Sequence, residues 1–411
     1  MTSERRLGWA LALTSTLTMA VSYFDRQTLA VLAPTVTKAL DISNASYGWL
    51  ASAFSIAYLA GAPVAGRLID IVGARRGLLG AVLVWSVVAG LHALAPGFGV
   101  LFGLRIALGL AESPSFPGAA QTVHRALPPE KRARGYGILF TGSSIGGMLA
   151  PPLASWLEGR YGWRVAFLGT AVIGLSWVPV WALIAFSPRG RQTLDRGTAE
   201  AAPARPRGEW LQILGHPAVI RAVIAVLASS PGLAFAFLWS AKFLAFTYHS
   251  TQAEIGKLLW FPPLVFDAGA VAFGHFASVR ASRPDYDGSP PRALFAGALV
   301  LALALAAVPY APTPEMAVAV GAVAMGGGGA LFALLTADML GRVPATQVSS
   351  AGGITAAAQS LAYIVASPLI GLGVDRYQSY VPILWPLALF NLPGCLVWLL
   401  WRRLPPILHD R

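Results

Sequence analysis

"GRLIDIVGARRG", Gly66 to Gly77, joins two long apolar runs, 45–70 and 76–95. Its spacing suits a tight, water-facing turn between two helices. Gly66 is small enough for a close helix approach, Asp70 falls at a helix end, and Gly73 permits a sharp turn. Arg75 and Arg76 then follow as charges held at a membrane face. The rest of the chain fits that reading. Of 411 residues, 56% are hydrophobic and 12% charged, with a mean hydropathy of +0.62, whereas soluble chains carry about 25% charged residues. This is a polytopic membrane protein with lipid as the solvent for most of its surface. Long alternating segments are missing, which favours helices over a barrel.

Breaks at charged and Pro/Gly-rich joints predict twelve spans, near 7–37, 45–70, 76–95, 98–124, 134–158, 163–186, 217–249, 254–280, 292–310, 314–340, 347–374 and 380–403. Each reaches the roughly 20 residues that a spanning helix needs. The first apolar run has no cleavage site and leads straight into further spans, so no removable signal is expected. The polar stretch 188–216, rich in Pro, Arg and Ala, reads as a cytoplasmic tether between six-helix bundles at 1–187 and 217–411; Trp210 and Leu211 could touch the membrane surface. The net charge of +12 follows the loops. With both termini in the cytoplasm, Lys38, Arg160, Arg164, Lys257 and Arg376 lie outside and Arg26, Arg105 and Lys242 lie within spans. The other 22 of the 30 basic residues face the cytoplasm. Such a bias is the positive-inside rule, and it removes any need for a nucleic-acid partner.

The two halves are related. "PLASWLEGRY" at 152–161 matches "PLIGLGVDRY" at 368–377, and the same offset of 216 pairs Pro128 with Pro344, Gly137 with Gly353 and Phe116 with Phe332. Repeats of this kind build transporters whose substrate sits between the halves near the midplane. Into that midplane the sequence places ionisable groups. "SYFDRQTLAVLAP", Ser22 to Pro34, puts Asp25 and Arg26 about 16–18 Å deep, with Arg105 about 10 Å and Glu112 about 20 Å deep at 1.5 Å per residue. Seven residues separate Arg105 from Glu112, so both project from one helix face. Lys242 and Asp267 complete a set of three positive and three negative groups. Intramembrane charges mark functional sites by default and need partners.

Gly66–Gly77 resembles the G-x-x-x-D-x-x-G-x-R-[RK] loop of the major facilitator superfamily, with a worn second-half copy, "GHFASVRASR", in which Ser278 replaces the Asp. "YFDRQTLAVLAP", "RIALGLAESPSFPGA" and "GSSIGGMLAPPLASWLEGRYGWRVAF" resemble segments of its anion:cation symporter family, which includes hexuronate and galactonate permeases, sialin and vesicular glutamate carriers. "FLWSAKFL" and "PPLVFDAGAVAFG" are similar less sharply. The resemblance implies an all-α major facilitator fold, a monomer in a bacterial inner membrane, and proton-coupled symport of a small organic anion by alternating access. It also implies Asp25 and Glu112 as the proton-handling pair and Arg26 and Arg105 as anion contacts. Tyr58 and Ser143 match substrate-contacting positions, and Lys242 could add an anion contact from the second half or reach for the outer face.

The implied chemistry is simple. Burial and a nearby guanidinium pull a carboxylate's proton affinity in opposite directions, leaving it able to titrate. Protonation strips an arginine of its internal partner, and a substrate carboxylate takes that place bidentately. An anion exchanger or small-monocarboxylate carrier could use the same arginines without titration. Asp267 could pair with His275, meet a helix end, or simply pack. An enzyme is not expected, since His92, His124, His216, His249, His275 and His409 show no ligand spacing and no phosphate loop occurs. No metal or cofactor is implied. Cys395 is alone, so no disulfide forms within the chain.

Overall fold

The computed structural model describes residues 3–195, 213–344 and 347–401, which are helical almost throughout; Trp210 and Leu211 lie outside them. Eleven stretches among these residues are long and apolar enough to cross a membrane. The chain divides into two compact units, Met1–Ala204 with Thr251–Trp260, and Arg205–Ser250 with Phe261–Arg411.

The first unit holds α1 (Ser3–Val31), α2 (Ala33–Ala39), α3 (Asn44–Val72), α4 (Ala74–Leu91), α5 (Phe98–Glu112), α6 (Ser115–Ala126), α7 (Pro129–Tyr161), α8 (Trp163–Ala185) and α9 (Pro188–Asp195). The stretch expected to be one span over 98–124 is two helices, α5 and α6, each too short to cross alone. The cause is Pro114, which has no N–H for the ladder and crowds the carbonyl four residues back. That carbonyl, of Leu110, instead accepts from the Ser113 backbone N–H at 3.3 Å and the Ser113 hydroxyl at 2.8 Å. Glu112 is thereby the last residue of a helix that ends inside the bundle.

Small residues set the closest helix approaches, as expected where lipid gives no hydrophobic drive between helices. A Cβ on Gly146 would lie 2.1 Å from the Ala20 carbonyl oxygen, and one on Gly109 2.5 Å from that of Phe54. These contacts lock α7 to α1 and α5 to α3. Trp85, Trp177 and Trp181 fill the core between α4 and α8. The Trp177 indole donates to the Thr14 carbonyl at 3.0 Å and that of Trp181 to the Arg75 carbonyl at 2.9 Å.

The Gly66–Gly77 loop departs from expectation in two ways. Gly73 does make the turn, at φ 83°. A Cβ on Gly66, however, would meet nothing within 4 Å, so no close helix approach is made there. Arg75 is not a free surface charge either. It is buried, bridges Asp195 through Nε at 3.0 Å and Nη2 at 2.6 Å, and stacks on Phe186. Arg76 stays exposed, and Asp70 accepts from Gln121 at 3.1 Å. The start of the predicted tether is therefore a docked helix, α9, whose Leu194 is fully buried and accepts from Arg125.

α10 (Pro217–Leu238) and α11 (Ser240–Tyr248) belong to the second unit. α12 (Gln252–Leu258) belongs to the first, where Gln252 donates to Ser155 at 2.9 Å and to the Val31 carbonyl at 3.0 Å. The second unit continues through α13 (Phe261–Ala281), α14 (Arg292–Ala302), a 3-10 turn Leu303–Tyr310, α15 (Pro314–Leu340), α16 (Val348–Tyr377), α17 (Val381–Leu389) and α18 (Asn391–Leu400). Four consecutive glycines, Gly326 to Gly329, lie buried in α15. Cβ atoms there would press on Val265 and the Phe266 carbonyl of α13, the Ala302 backbone nitrogen of α14 and Leu233 of α10.

Candidate functional site

Four of the sequence-predicted residues come together in the first unit, with a pairing different from the simplest one. Arg26 does not pair with its neighbour Asp25. On α1 the two point about 100° apart, and Arg26 reaches Glu112 at the end of α5, Nε to Oε2 at 2.8 Å. The same oxygen accepts from the Ser22 hydroxyl at 2.6 Å. Ser22 precedes Arg26 by one helical turn, so α1 presents two donors to one carboxylate. Glu112 is wholly buried, while the Arg26 side chain keeps 16% exposure. The remaining carboxylate oxygen, Oε1, and the Arg26 Nη2 are buried without a hydrogen-bond partner.

Aromatic rings surround the guanidinium. The Arg26 Cζ lies 4.4 Å from the centre of Tyr58, 4.7 Å from Tyr23 and 5.0 Å from Phe54. Arg105 sits on the same Phe54 ring at 4.9 Å. One phenylalanine ring thus serves two cations, and its quadrupole stabilises both. Tyr58 stacks on Phe54 one turn away at 5.8 Å.

Arg105 and Asp25 are the uncommitted members. Arg105 is 3% exposed with its Nε unpartnered, and it makes no ion pair among the described residues. Asp25 is 4% exposed, with both carboxylate oxygens unpartnered. It faces Thr170 of α8, and Glu112, Arg105 and Arg26 all lie within Coulombic reach of it. Two cations and two carboxylates balance in charge, yet only one pair is closed. Buried polar atoms are normally satisfied, so these four charged groups with unpartnered atoms form the candidate site.

The other predicted residues are placed differently. Ser143, on α7, donates to the Phe140 carbonyl of its own helix at 2.6 Å. Lys242 belongs to the second unit, where Asp375 of α16 is its electrostatic partner. Asp267 is half-buried on α13, His275 is exposed against Phe276, and the two form no pair. Sequence reasoning missed Ser22, Phe54 and Thr170. The i to i+4 spacings of Ser22 with Arg26 and of Phe54 with Tyr58 were readable, but hydroxyls and rings are too common in membrane helices to stand out. It also missed a second buried cluster. Arg221 and Arg342 bind opposite oxygens of Asp338, Arg342 at 3.0 and 3.1 Å, and the Arg221 guanidinium lies 4.2 Å over Trp398.

A broken, glycine-locked helical bundle with open charges at its centre is the architecture of a membrane carrier, and sequence comparison agrees. The Major Facilitator Superfamily profile matches residues 16–285. The chain belongs to that superfamily, a group of multi-pass membrane transporters. It is 26% identical over 425 residues to the hexuronate transporter of Escherichia coli K12, covering 99% of this chain and 97% of that one. With the galacturonate transporter of Dickeya chrysanthemi it shares 29% identity over 280 residues, 66% of this chain and 81% of that protein. Against the D-galactonate transporter of Escherichia coli O6:H1 the identity is 24%, over 93% of each. Among solved structures, a bacterial homologue of the human lysosomal transporter Spinster, inward-facing and unoccupied, shares the fold with a TM-score of 0.80 at 16% identity over 97% of each chain.

Proposed function

We propose that this chain is a secondary transporter that carries an organic anion together with protons by alternating access. Its substrate is a sugar acid or a related carboxylate. The carrying observation is the asymmetry of the four charges: Arg26 is closed on Glu112, whereas Arg105 and Asp25 are open. Arg105 attracts the substrate carboxylate, because a buried unpaired guanidinium is costly and a bidentate anion relieves that cost. Protonation of Glu112 loosens its hold on Arg26, which then turns to the same anion. Tyr58 lies against Arg26 and offers its phenol to the substrate. Ser143, its own proton engaged by Phe140, offers an accepting lone pair to a substrate hydroxyl. The names of the relatives, hexuronate, galacturonate and D-galactonate transporters, support a polyhydroxylated acid with one carboxylate.

In this reading the 1–187 and 217–411 halves rock about the site, the protein acts as a monomer in a bacterial inner membrane, and both termini are cytoplasmic. Proton coupling makes anion binding and protonation mutually favourable. The test is uptake into proteoliposomes of D-glucuronate, D-galacturonate, D-galactonate and lactate. It is run under an inward proton gradient and, in parallel, as counterflow at equal pH. Uphill accumulation of a sugar acid only with the gradient is the expected result. Counterflow without uphill accumulation would replace symport by exchange, and transport of lactate alone would replace the substrate class.

A further inference from the structure

α1 carries a row of buried hydroxyls, and one of them is used differently from its neighbours. Thr14, Ser15, Thr16, Thr18 and Thr28 each donate to the carbonyl four residues back in their own helix. That is a common fate for a hydroxyl inside a helix, because the carbonyl one turn back is always within reach. Ser22 stands one turn after Thr18 and is fully buried. It gives its proton instead to another helix, to Glu112 Oε2 of α5 at 2.6 Å. The distance is that of a hydroxyl bonded to an ionised carboxylate oxygen, a stronger acceptor than a neutral carbonyl.

Arg26 Nε reaches the same oxygen at 2.8 Å, so two donors from successive turns of α1 converge on Oε2. An ionised carboxylate offers about two lone-pair sites on each oxygen, and at Oε2 both are taken. Oε1 is buried and has no hydrogen-bond partner. Oε1 is therefore the atom with room for a proton. The other ionisable groups acting on Glu112 are Asp25 and Tyr23 of α1 and Arg105 of α5. From α3, Tyr58 lies against the Arg26 guanidinium. α4, α6, α7 and α8 carry their charged residues toward their ends.

We propose that Ser22 is a positioning residue for proton coupling: its hydroxyl holds Oε2 of Glu112 in both protonation states and so reserves Oε1 for the proton. The two donors at Oε2 part company when that proton arrives. Loss of the negative charge turns the Arg26 contact from an ion pair into an ordinary hydrogen bond, and the guanidinium gains by turning to a substrate anion. The Ser22 hydroxyl is neutral and donates equally well in kind to the carbonyl oxygen of a carboxylic acid, so its bond stays. Glu112 keeps its place while Arg26 is away. When Oε1 gives up its proton, the charged oxygen is where Arg26 left it.

This inference rests on the proton-coupled reading, and the test separates the two. Ser22→Ala removes the donor, whereas Ser22→Cys keeps the volume with only a weak donor. Each is made alone and together with Glu112→Gln, and checked for an unchanged melting temperature. The affinity for D-galacturonate is then measured by calorimetric titration across a pH series. With Glu112 present, both substitutions should move the midpoint of that pH dependence upward by about one pH unit, since a carboxylate that has lost a donor takes its proton more readily. With glutamine at 112, neither should move it, because the effect runs through the acid. A parental midpoint in Ser22→Ala overturns the proposal. So does a parental midpoint in Ser22→Cys beside a shifted Ser22→Ala, which marks Ser22 as a space-filler, and so does an equal shift in the Glu112→Gln background. D-galacturonate binding by the unmodified protein that ignores pH, with uptake that ignores a proton gradient, overturns the proton-coupled reading itself and this proposal with it.

Discussion

Each half of the molecule buries arginines against a carboxylate, and the two clusters are finished to different degrees. In the second half Asp338 uses both oxygens, one for Arg221 and one for Arg342, and of this carboxylate and its two arginines only the Arg221 Nε is left without a partner. Arg342 also donates to the Gly288 carbonyl at 2.8 Å, and Arg221 lies over a Trp398 ring stacked 3.9 Å from Phe295. In the first half Glu112 holds Arg26 with one oxygen, while Asp25 and Arg105 are left open. A closed ionic network holds a shape. An open one of the same residue types carries unspent binding energy, because each unpartnered buried group gains by meeting a ligand or a proton. On the proposed function, the more closed cluster holds structure and the more open one serves transport.

Substitutions should pull the clusters apart in different assays. The largest effect is expected at Asp338→Ala, which strands two buried guanidiniums. Breaking such a pair costs about 3–5 kcal/mol, so the melting temperature should drop sharply while anion affinity per folded molecule is unchanged. A drop in affinity at parental stability would turn that cluster into a second site and break the comparison.

Arg105→Ala should do the reverse. It has no ion pair to lose, so stability holds, but a charge-assisted contact of about 1.5–3 kcal/mol to the anion goes, and affinity falls at least about tenfold. Arg105→Lys should also bind poorly, for an ammonium lacks the planar fork. Normal binding by the lysine variant in a calorimetric titration would remove Arg105 from the site.

Smaller changes in affinity, but a change of transport mode, are expected from Asp25→Asn and Glu112→Gln. Each mimics the protonated group, so the anion still binds, with part of its pH dependence gone. Gradient-driven uptake fails in at least one variant while counterflow persists. Interaction between the two acids means that either substitution can shift the other's titration. If both variants accumulate substrate uphill, coupling does not run through this pair. The smallest effect belongs to Phe54→Leu, which removes a ring that two cations share. Leucine keeps the packing and removes the ring quadrupole, so the anion site should weaken severalfold, and an unchanged affinity would show that the ring only fills space.

The repeat offset of 216 predicted more of the fold than composition could. α7 ends at Tyr161 and α16 at Tyr377, the same offset, and the residues after them, Gly162 and Gln378, both take positive φ, 83° and 49°. A glycine there is a readable helix stop; a glutamine is not, and only the repeat reveals it. The broken fourth span was hidden because hydropathy runs unbroken through Ser113 and Pro114. Buried charge was legible at Asp25, Arg26, Arg105 and Glu112, since charge in an apolar run has few explanations. Their pairing was not, because it depends on which α1 face meets α5, and that is set by tertiary packing. Arg221 and Asp338 escaped notice because they lie near span ends, where a charge is ordinarily solvated.

The run Gly326–Gly329 bears on how the protein is made. Each glycine costs a helix roughly 1 kcal/mol relative to alanine, so α15 is an unusually weak helix on its own account. The atoms nearest those four positions belong to α10, α13 and α14, and all three precede it in the chain. During synthesis α15 therefore emerges after the groove that shapes it is available, and it can be cast against that groove instead of bringing a rigid shape of its own.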